Sequence, residues 1–311
     1  MNEIKIFAPA TIANISCGFD VLGCCLDAIG DEMIVKKSSL KGIRITKITG
    51  EDLPLENNKN VAGAAALALL EAYTDTLEFG FEVEIIKRIK PGSGIGSSAA
   101  SAAGSVFAIN ELLGRPFSKS QLVKFACEGE RLACGSPIAD NVAPAIFGGF
   151  TLVKSTDPMK IIELPTLKGL YATIIHPQIE IKTADSRAVL PENVPLDLAA
   201  KQWANVGSLV HSLHTNDHQL FAESLTDYLV EPHRSKLIPD YDLVKESALK
   251  AGALGCGISG SGPSIFTFSK NIDIADKVRS TLDNVYKKNK IPFHIYISKI
   301  NSVGIKIMNL K

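Results

Sequence analysis

A glycine-rich loop, placed between a strand-like segment and an alanine-rich helix, constrains the fold of this chain more than any other stretch. The loop, residues 92–98, has the sequence Gly-Ser-Gly-Ile-Gly-Ser-Ser. Residues 81–87 before it alternate apolar and polar side chains, which predicts a half-buried β-strand. Residues 99–113 after it predict a helix that stops at Gly114 and Pro116. The chain therefore contains a strand, a glycine loop and a helix N-terminus in direct succession.

This arrangement suits the binding of a phosphate group. Glycine lets the backbone turn sharply and approach a ligand closely. The first N–H groups of a helix have no partner within the helix, and they lie at the positive end of its dipole. Ser97 and Ser98 add two hydroxyl groups at this position. One of them can cap the helix, and the other can reach a metal ion that accompanies the phosphates.

Three kinds of loop share these features. A Walker P-loop requires a lysine directly before its Ser or Thr, and this chain has none there. A dinucleotide-binding fingerprint fits Gly94, Gly96 and Ala99, but it is expected early in the chain and with an acidic residue at a set distance, and both are missing. The third alternative is a loop of small residues that only packs a helix on a sheet.

Composition sets the outer limits. A chain of 311 residues, 46% hydrophobic and 21% charged, is long enough for two globular domains. Lys+Arg and Asp+Glu balance at 33 each, which argues against nucleic acid as the main partner. The longest apolar run, residues 61–70, is too short to span a bilayer, and the chain does not start like a signal peptide. The six cysteines form no CxxC pair, so we expect core thiols of a cytoplasmic protein and no structural zinc.

The pattern of apolar residues predicts an α+β chain with two halves. For the first half it predicts strands at residues 4–7, 33–49, 81–87 and 149–153, a loop at residues 8–23, and helices at residues 61–72, 99–113 and 118–131. For the second half it predicts strands at residues 170–175, 264–268, 293–300 and 303–308, and helices at residues 196–213, 218–227 and 242–251. A polar turn at residues 155–158 marks the expected boundary.

The glycine loop resembles the phosphate loop of the GHMP small-molecule kinases, Pro-x-x-x-Gly-Leu-Gly-Ser-Ser-Ala-Ala. The match runs from Gly94 to Ala100, with Ile95 in place of the leucine. The resemblance implies an ATP-dependent kinase that holds Mg²⁺ with Ser98 and Glu130. It further implies that the nucleotide is bound by Asn60, Lys90, Pro91, Gly92, Ser93, Gly94, Ile95, Gly96, Ser97, Ser98, Ala99 and Ala100.

Two other segments resemble one branch of that family, the homoserine kinases. Residues 13–23 contain Ala-Asn followed by Gly-Phe-Asp-Val-Leu-Gly, and residues 140–149 read Asp-Asn-Val-Ala-Pro-Ala-Ile-Phe-Gly-Gly. The resemblance implies that Asn14, Asp20 and Asn141 are catalytic and substrate-binding residues. Several relatives place an aspartate base where Asn141 lies, and an amide cannot accept a proton as a carboxylate does. Catalysis by positioning and charge stabilisation is therefore expected.

Two arginines complete the expected substrate site. Arg187, with Thr183 before it, and Arg234 lie in segments similar to those of the same family. A guanidinium binds a carboxylate in a bidentate manner, so the resemblance implies that both arginines and Thr183 bind the carboxylate of an amino acid. Without the resemblance, each arginine would be interpreted as a surface charge. The glycine-rich residues 255–264 resemble the third motif of the family and are expected to pack on the phosphate loop, unless they form a flexible hairpin.

Three histidines, His211, His214 and His218, lie close together along a predicted helical region. A zinc site is conceivable there, but the His-Glu-x-x-His pattern is absent. We expect a solvated helix face.

The resemblance covers nearly the whole chain and implies the two-domain GHMP kinase fold. Residues 1–155 are expected to form the ribosomal-protein-S5-domain-2-like ATP-binding domain, and residues 156–311 a ferredoxin-like α/β-plait domain. The expected reaction is phosphorylation of the side-chain hydroxyl of L-homoserine by ATP, giving O-phospho-L-homoserine for threonine biosynthesis. We expect a cytoplasmic homodimer with no nucleic-acid or membrane partner. A GHMP kinase with another alcohol substrate and a catalytically silent binding regulator are the alternatives.

Overall fold

A computed structural model describes residues 1–289 and 291–309, and it describes only the backbone of Cys134 and Asn289. The first half contains, in order, β1 (Glu3–Ala13), β2 (Leu22–Ser38), β3 (Gly42–Thr49), α1 (Val61–Ala72), β4 (Gly80–Ile86), α2 (Ser97–Leu112), α3 (Lys119–Cys134), α4 (Val142–Phe147), β5 (Phe150–Thr156) and β6 (Met159–Leu164). The second half contains β7 (Tyr171–Pro177), α5 (Thr183–Ala188), α6 (Leu196–Thr215), α7 (His218–Ser224), α8 (Glu231–Arg234), α9 (Tyr241–Lys250), β8 (Gly255–Ile258), β9 (Ile265–Ser269), α10 (Ile272–Asn289), β10 (Phe293–Lys299) and β11 (Lys306–Met308).

The first sheet has the strand order β11-β1-β2-β4-β3, and β5 pairs with both β2 and β6. Strand β3 runs parallel to β4, and the other pairs in this sheet are antiparallel. Strand β4 buries alternate residues, Phe81, Val83 and Ile85, as its sequence pattern predicts. Helix α2 packs on β1 and β2, and α1 and α3 pack beside it. The alanines of α2 are buried, so small side chains let this helix lie close to the sheet.

The second sheet is antiparallel, in the order β10-β7-β9-β8. Helix α10 packs against β7, β9 and β10, and α9 packs against β8. The buried side chains Val278, Leu282 and Tyr286 recur at helical spacing on α10 and join one apolar core with Ile175 and Ile265. Helices and strands of both halves therefore form the predicted α+β architecture.

The two sheets meet in a shared core. The rings of Phe150 on β5, Phe221 on α7 and Phe268 on β9 pack together with centroids 5.5–6.2 Å apart. The hydroxyl of Ser298 on β10 accepts hydrogen bonds from the N–H groups of Asp27 and Ala28 on β2, at 2.7 and 3.0 Å. These contacts hold the two halves of the chain against each other.

The chain leaves the first sheet after β6 and returns to it with β11, which pairs with β1. The segment before β11 also contacts the region of α4, because the N–H of Gly149 donates to the carbonyl of Asn301 at 2.7 Å and that of Ile305 to Ala145 at 2.9 Å. This pairing of strands does not test the predicted domain boundary near residues 155–158, which stays a prediction.

Two helices begin with a side-chain cap. The amide oxygen of Asn60 accepts from the N–H of Ala62 at 2.9 Å and caps α1. Ser118 and Gln121 form a capping box at the start of α3. The loop predicted at residues 8–23 is too long, since β1 continues to Ala13 and β2 begins at Leu22.

Five cysteines are buried, as expected for core thiols, and Cys17, Cys24, Cys25 and Cys256 among them are free. The side chain of Cys134 lies outside the described part of the chain. Burial raises the pKa of Cys17 to about 12, which makes this thiol unreactive at neutral pH. None of the helices in the described residues is long and apolar enough to cross a bilayer.

Candidate active site

A cavity of about 630 Å³ lies between the two halves of the molecule. Its walls come from the glycine loop before α2, the loop between β1 and β2, the end of α3, the segment before α4, and α5. The predicted residues Asn14, Asp20, Asn141, Thr183, Arg187 and Arg234 all line it, together with Ser98 and Glu130. Residues that are far apart in the sequence thus share one concave surface.

The glycine loop is fixed from two sides. Gly96 has φ +74°, and a Cβ atom there would lie 2.2 Å from Oγ1 of Thr11 on β1. Gly94 has φ +80°, and a Cβ atom there would lie 2.6 Å from the carbonyl oxygens of Ser259 and Gly262. The hydroxyl of Ser259 also donates to the carbonyl of Gly94 at 2.7 Å. The glycine-rich residues 255–264 belong to the antiparallel β8–β9 hairpin and pack on this loop, as predicted.

The N-terminus of α2 faces this cavity without a capping side chain. Its N-cap is Gly96, so the expectation that a loop serine caps the helix is wrong. Ser97 instead donates its hydroxyl hydrogen bond to the carbonyl of Ile89 at 2.8 Å, and Ser98 donates to Glu130. Uncapped N–H groups at the positive end of a long helix suit an anion. The loop therefore has the geometry of a phosphate site.

Ser98 and Glu130 lie side by side, although they come from different helices. The Ser98 hydroxyl donates to Oε2 of Glu130 at 3.2 Å, and the Glu130 residue is 7% exposed. Burial raises the pKa of Glu130 to about 7. A hydroxyl and a carboxylate are oxygen ligands of the type that Mg²⁺ prefers, with the remaining positions left to phosphates and water. The described residues contain no separate cluster of three or more His, Cys, Asp or Glu that could hold a metal ion.

A buried ion pair that the sequence analysis missed lies beneath the loop. Lys87 at the end of β4 pairs with the carboxylate of Asp31 on β2, and both side chains are 1% exposed. The Lys87 ammonium also donates to the carbonyl of Ser97 at 3.0 Å and to the hydroxyl of Ser101 at 3.1 Å. Its pKa is lowered by burial, against the attraction of Asp31. Lys87 therefore ties the sheet to the first turn of α2.

The loop between β1 and β2 has an unusual backbone. Asn14, Ile15, Ser16 and Asp20 have φ values of 71°, 42°, 56° and 60°, a region that residues other than glycine seldom occupy. The Asn14 side chain donates to the carbonyl of Gly260 at 2.9 Å and accepts from the N–H of Asp20 at 3.1 Å. These contacts hold the loop in a strained conformation, as is common at functional sites.

A buried glutamine supports the same loop from α6. Gln202 donates to the carbonyl of Cys17 at 2.8 Å and to Oδ1 of Asp227 at 2.9 Å. Its own oxygen accepts from the N–H of Tyr228 at 2.8 Å. Asp227 in turn accepts from N–H groups at the start of α8, the helix that carries Arg234. Gln202 thus connects two parts of the cavity wall, and the sequence analysis missed it.

Two arginines that line the cavity pack over one aromatic ring. The guanidinium carbon of Arg187 lies 5.5 Å from the centroid of Phe19, and that of Arg234 lies 5.0 Å from it. Nη2 of Arg187 lies 3.0 Å from both carboxylate oxygens of Asp20. Arg234 is 3% exposed and donates to the carbonyls of Ser186 and Gly260 at 3.1 and 3.0 Å. Burial and the nearby Arg187 lower its pKa to about 10.

Asn141 and its neighbour Asp140 form the opposite wall. The amide oxygen of Asn141 accepts from Oγ1 of Thr11 at 2.7 Å, which leaves its NH₂ group as the polar end for a ligand. Asp140 is 2% exposed, and its Oδ1 has no hydrogen-bond partner within the described residues. Burial, with the nearby Asp20 and Glu130, raises its pKa to about 8. Asp140 also lines the cavity and was not among the predicted site residues, although it directly precedes Asn141.

Some predicted nucleotide residues do not line the cavity, namely Asn60, Lys90, Ile95, Ala99 and Ala100. Ile95 is buried, and its carbonyl accepts a hydrogen bond of 3.1 Å from the N–H of Thr11. The side chain of Asn60 is used at both ends, since it caps α1 and donates to the carbonyl of Pro54 at 2.8 Å. A direct nucleotide contact by Asn60 stays a prediction.

The three histidines lie away from this cavity. His211 and His214 are exposed on α6 and His218 is half-buried at the start of α7. The described residues form no metal-ligand group there, and a partly solvated helix face accounts for these side chains.

Comparison with known proteins identifies the family. The model of the GHMP kinases N terminal domain matches residues 60–149, and that of the GHMP kinases C terminal domain matches residues 209–288. A homoserine kinase of Chlorobium phaeobacteroides (strain BS1) is 44% identical over 99% of this chain and 100% of its own length. One from Methanococcus maripaludis (strain C5) is 38% identical over 93% of both chains.

Solved structures give the same result. The crystal structure of homoserine kinase from Cytophaga hutchinsonii superposes with a TM-score of 0.94 and 49% identity, over 99% of this chain and 98% of that chain. The L. major mevalonate kinase reaches a TM-score of 0.72 at 16% identity, over 95% and 96% of the two chains, and shows the shared fold alone. The predicted GHMP kinase fold is confirmed, and the chain belongs to the homoserine kinases within the GHMP kinase family.

Proposed function

We propose that this chain is a homoserine kinase, which transfers the γ-phosphoryl group of ATP to the side-chain hydroxyl of L-homoserine. The observation that carries the proposal is the joint cavity. It places an uncapped helix N-terminus and the Ser98–Glu130 pair on the same surface as Asp20, Arg187 and Arg234. A phosphate site and a site for a charged amino acid are thus adjacent.

The nucleotide side of the cavity binds the phosphates through backbone N–H groups. The glycine loop and the first turn of α2 supply these donors, and Lys87 fixes the position of that turn through the Ser97 carbonyl. Ser98 and Glu130 fit Mg²⁺ because they pair a hydroxyl with a buried carboxylate. The metal ion neutralises charge on the phosphates when it is bound. ATP and Mg²⁺ are therefore the cofactors of the proposed reaction.

The substrate side positions the amino acid by its charges. Arg187, Arg234 and Thr183 are proposed to bind the carboxylate, and Asp20 and Asn14 the ammonium group. The bond to Thr11 is made by the amide oxygen of Asn141, so its NH₂ group is available and is proposed to orient the hydroxyl of the substrate. The hydroxyl oxygen forms the new bond to the γ-phosphorus while the bond from that phosphorus to ADP breaks. The transition state of phosphoryl transfer is loose, so the hydroxyl proton leaves late, to an oxygen of the transferred phosphoryl group or to water, and requires no strong base.

A coupled assay of ADP release tests the substrate. We expect turnover with MgATP and L-homoserine, and none with D-homoserine, L-threonine, mevalonate or galactose. Turnover with mevalonate or galactose would contradict the amino-acid site but not the phosphate loop. Binding of ATP without turnover of any of these compounds would favour a regulator. The homodimer and the cytoplasmic location stay predictions.

A further inference from the structure

The proposed carboxylate ligand Arg187 already has a carboxylate partner in the protein itself. Both oxygens of Asp20 lie 3.0 Å from a single guanidinium nitrogen, Nη2. Nε of Arg187 is buried and has no hydrogen-bond partner within the described residues. The arginine therefore pairs with Asp20 through one nitrogen only, and a ligand carboxylate that bonds two nitrogens of the guanidinium competes with Asp20 for it.

The ion pair lies at the cavity wall and not in open solvent. The side chains of Arg187 and Asp20 are 32% and 38% exposed, and Phe19, next to Asp20, packs against the guanidinium of Arg187. Arg234 lies over the same ring and is held by two backbone carbonyls. Two cations thus lie over one aromatic side chain, and Asp20, which pairs with Arg187, offsets part of their positive charge when no substrate is bound.

We propose that the Asp20–Arg187 ion pair selects for zwitterions, because only a ligand with both charges replaces it by two new ion pairs. The carboxylate of the ligand pairs with Arg187, while its ammonium group pairs with Asp20. This inference rests on the proposed function, which assigns an α-amino acid to this part of the cavity. It adds that specificity arises from an exchange of charges and not only from contacts to each charged group.

A ligand with one charge gains less than it loses. An alcohol with an ammonium group alone competes with Arg187 for Asp20 and leaves the arginine without an anion. An alcohol with a carboxylate alone leaves Asp20 unpaired beside the ligand. An unpaired charge that is partly desolvated is costly, and a nearby charge of the same sign adds to that cost. The ion pair therefore rejects both kinds of ligand.

Three ligands separate the charges while the hydroxyl and the carbon chain are kept. L-Homoserine has both charges, 3-aminopropan-1-ol lacks the carboxylate, and 4-hydroxybutyrate lacks the ammonium group. Binding to the full-length protein is measured by calorimetry without nucleotide. We expect both single-charge ligands to bind the native protein at least 100-fold more weakly than L-homoserine.

The decisive result is a gain of binding in variants that release one partner. Arg187→Gln leaves Asp20 unpaired, so 3-aminopropan-1-ol is expected to bind this variant at least 10-fold more tightly than it binds the native protein. Asp20→Asn leaves Arg187 unpaired, so 4-hydroxybutyrate is expected to bind this variant at least 10-fold more tightly than it binds the native protein. Both variants are expected to lose affinity for L-homoserine. Arg187→Lys keeps a cation beside Asp20, so 3-aminopropan-1-ol is expected to bind this variant as weakly as it binds the native protein.

The outcomes distinguish this inference from the proposed function. If L-homoserine binds the native protein but neither single-charge ligand gains affinity in its variant, the exchange is wrong and the proposed function stands. The exchange would also be wrong if 3-aminopropan-1-ol gained as much affinity in Arg187→Lys as in Arg187→Gln, because the charge on residue 187 would then not matter. Failure of L-homoserine to bind the native protein, with or without MgADP, would overturn both. Circular dichroism of each variant tests whether a loss of binding is due to misfolding. The Arg187 and Asp20 variants test the exchange independently of each other.

Discussion

The hydroxyl of Ser98 at the start of α2 donates a hydrogen bond of 3.2 Å to the buried carboxylate of Glu130 on α3. This contact joins the glycine loop to a group whose pKa is raised to about 7 by burial. Glu130 is therefore partly protonated at neutral pH, and any cation bound beside it competes with a proton.

The first prediction concerns metal dependence at this pair. Glu130→Gln is expected to lower kcat at least about 100-fold, the size of effect seen when one charge-stabilising group is removed. In the native enzyme the carboxylate form decreases as the pH falls below 7, so the apparent affinity for Mg²⁺ is expected to fall from pH 8 to pH 6. Steady-state titrations with Mg²⁺ at several pH values measure both effects.

The matched control for Glu130 lies on the same helix. Glu128 is partly exposed and bonds Arg131 at 3.0 Å, so Glu128→Gln is expected to leave kcat and the Mg²⁺ titration unchanged. An equal loss in both variants would show that the effect arises from α3 as a whole and not from a metal ligand.

The second prediction concerns the space beside Gly96. Gly96→Ala brings a methyl group to 2.2 Å from Oγ1 of Thr11, the atom that bonds Asn141. We expect kcat/KM for ATP to fall at least about 10-fold, since a misplacement of this kind disturbs both the loop and the opposite wall. Steady-state kinetics with ATP varied measure the change.

Gly114 provides the control for backbone strain. It also has a positive φ, +88°, but a Cβ atom there meets nothing within 4 Å. Gly114→Ala is expected to cost about 1 kcal/mol of unfolding free energy from backbone strain alone and to leave KM for ATP unchanged. Comparable kinetic losses in the two variants would contradict the steric argument.

The third prediction tests the buried ion pair under the loop. Lys87→Met leaves the Asp31 carboxylate buried without its cation, and removal of one partner from such a pair costs about 3–5 kcal/mol of unfolding free energy. KM for ATP is expected to rise as well, because the Ser97 carbonyl loses its donor. Urea unfolding and kinetics measure the two effects separately.

Lys36 on the neighbouring strand β2 is the comparison for Lys87. It pairs with Glu3 and Glu84 at 3.5 and 3.7 Å and is 42% exposed. Surface ion pairs of this kind contribute little to the free energy of unfolding. Lys36→Met is therefore expected to leave both the unfolding free energy and KM for ATP unchanged. A neutral result for Lys87→Met would mean that the ion pair does not stabilise the loop.

The fourth prediction assigns a positioning role to Gln202. Gln202→Met keeps the volume but removes the bonds to Cys17 and Asp227, at a cost of about 1–3 kcal/mol of unfolding free energy. Because the strained loop and α8 both lose support, we expect KM for L-homoserine to rise about 10-fold. KM for ATP is expected to change less than about twofold, since the phosphate loop is untouched.

Asn205, one turn later on α6, is the control for Gln202. It donates to the carbonyl of Thr226 at 2.9 Å, and within the described residues it makes no hydrogen bond to the strained loop. Asn205→Ala is expected to lower stability without raising KM for L-homoserine. If KM for both substrates rose equally in Gln202→Met, the role of Gln202 would be general stability.

Features that depend on neighbouring residues could be predicted from the sequence. The strand, loop and helix around Gly94 are encoded by adjacent residues, and the caps at Asn60 and Ser118 are encoded within four positions. Helix α10 was also encoded locally, since Ala275, Val278, Leu282 and Tyr286 recur at helical spacing, but the sequence analysis did not assign it.

Features that depend on distant contacts could not be predicted in the same way. The positive φ values of Asn14 and Ser16 require support from Gly260 and Gln202, which are far away in the chain. The pairing of Lys87 with Asp31 follows from the register of β2 and β4, which the alternation within one strand does not reveal. The partners of Arg187 likewise depend on how two remote segments meet.

The return of the chain to its first strand affects the order of events during protein synthesis. Strand β11 pairs with β1, and Ile305 bonds the carbonyl of Ala145 within α4. The wall that carries Asn141 thus receives its support from a segment that the ribosome makes more than 150 residues later. A nascent chain that still lacks this segment holds every predicted catalytic residue but not the strand pairing and the hydrogen bond that support this wall.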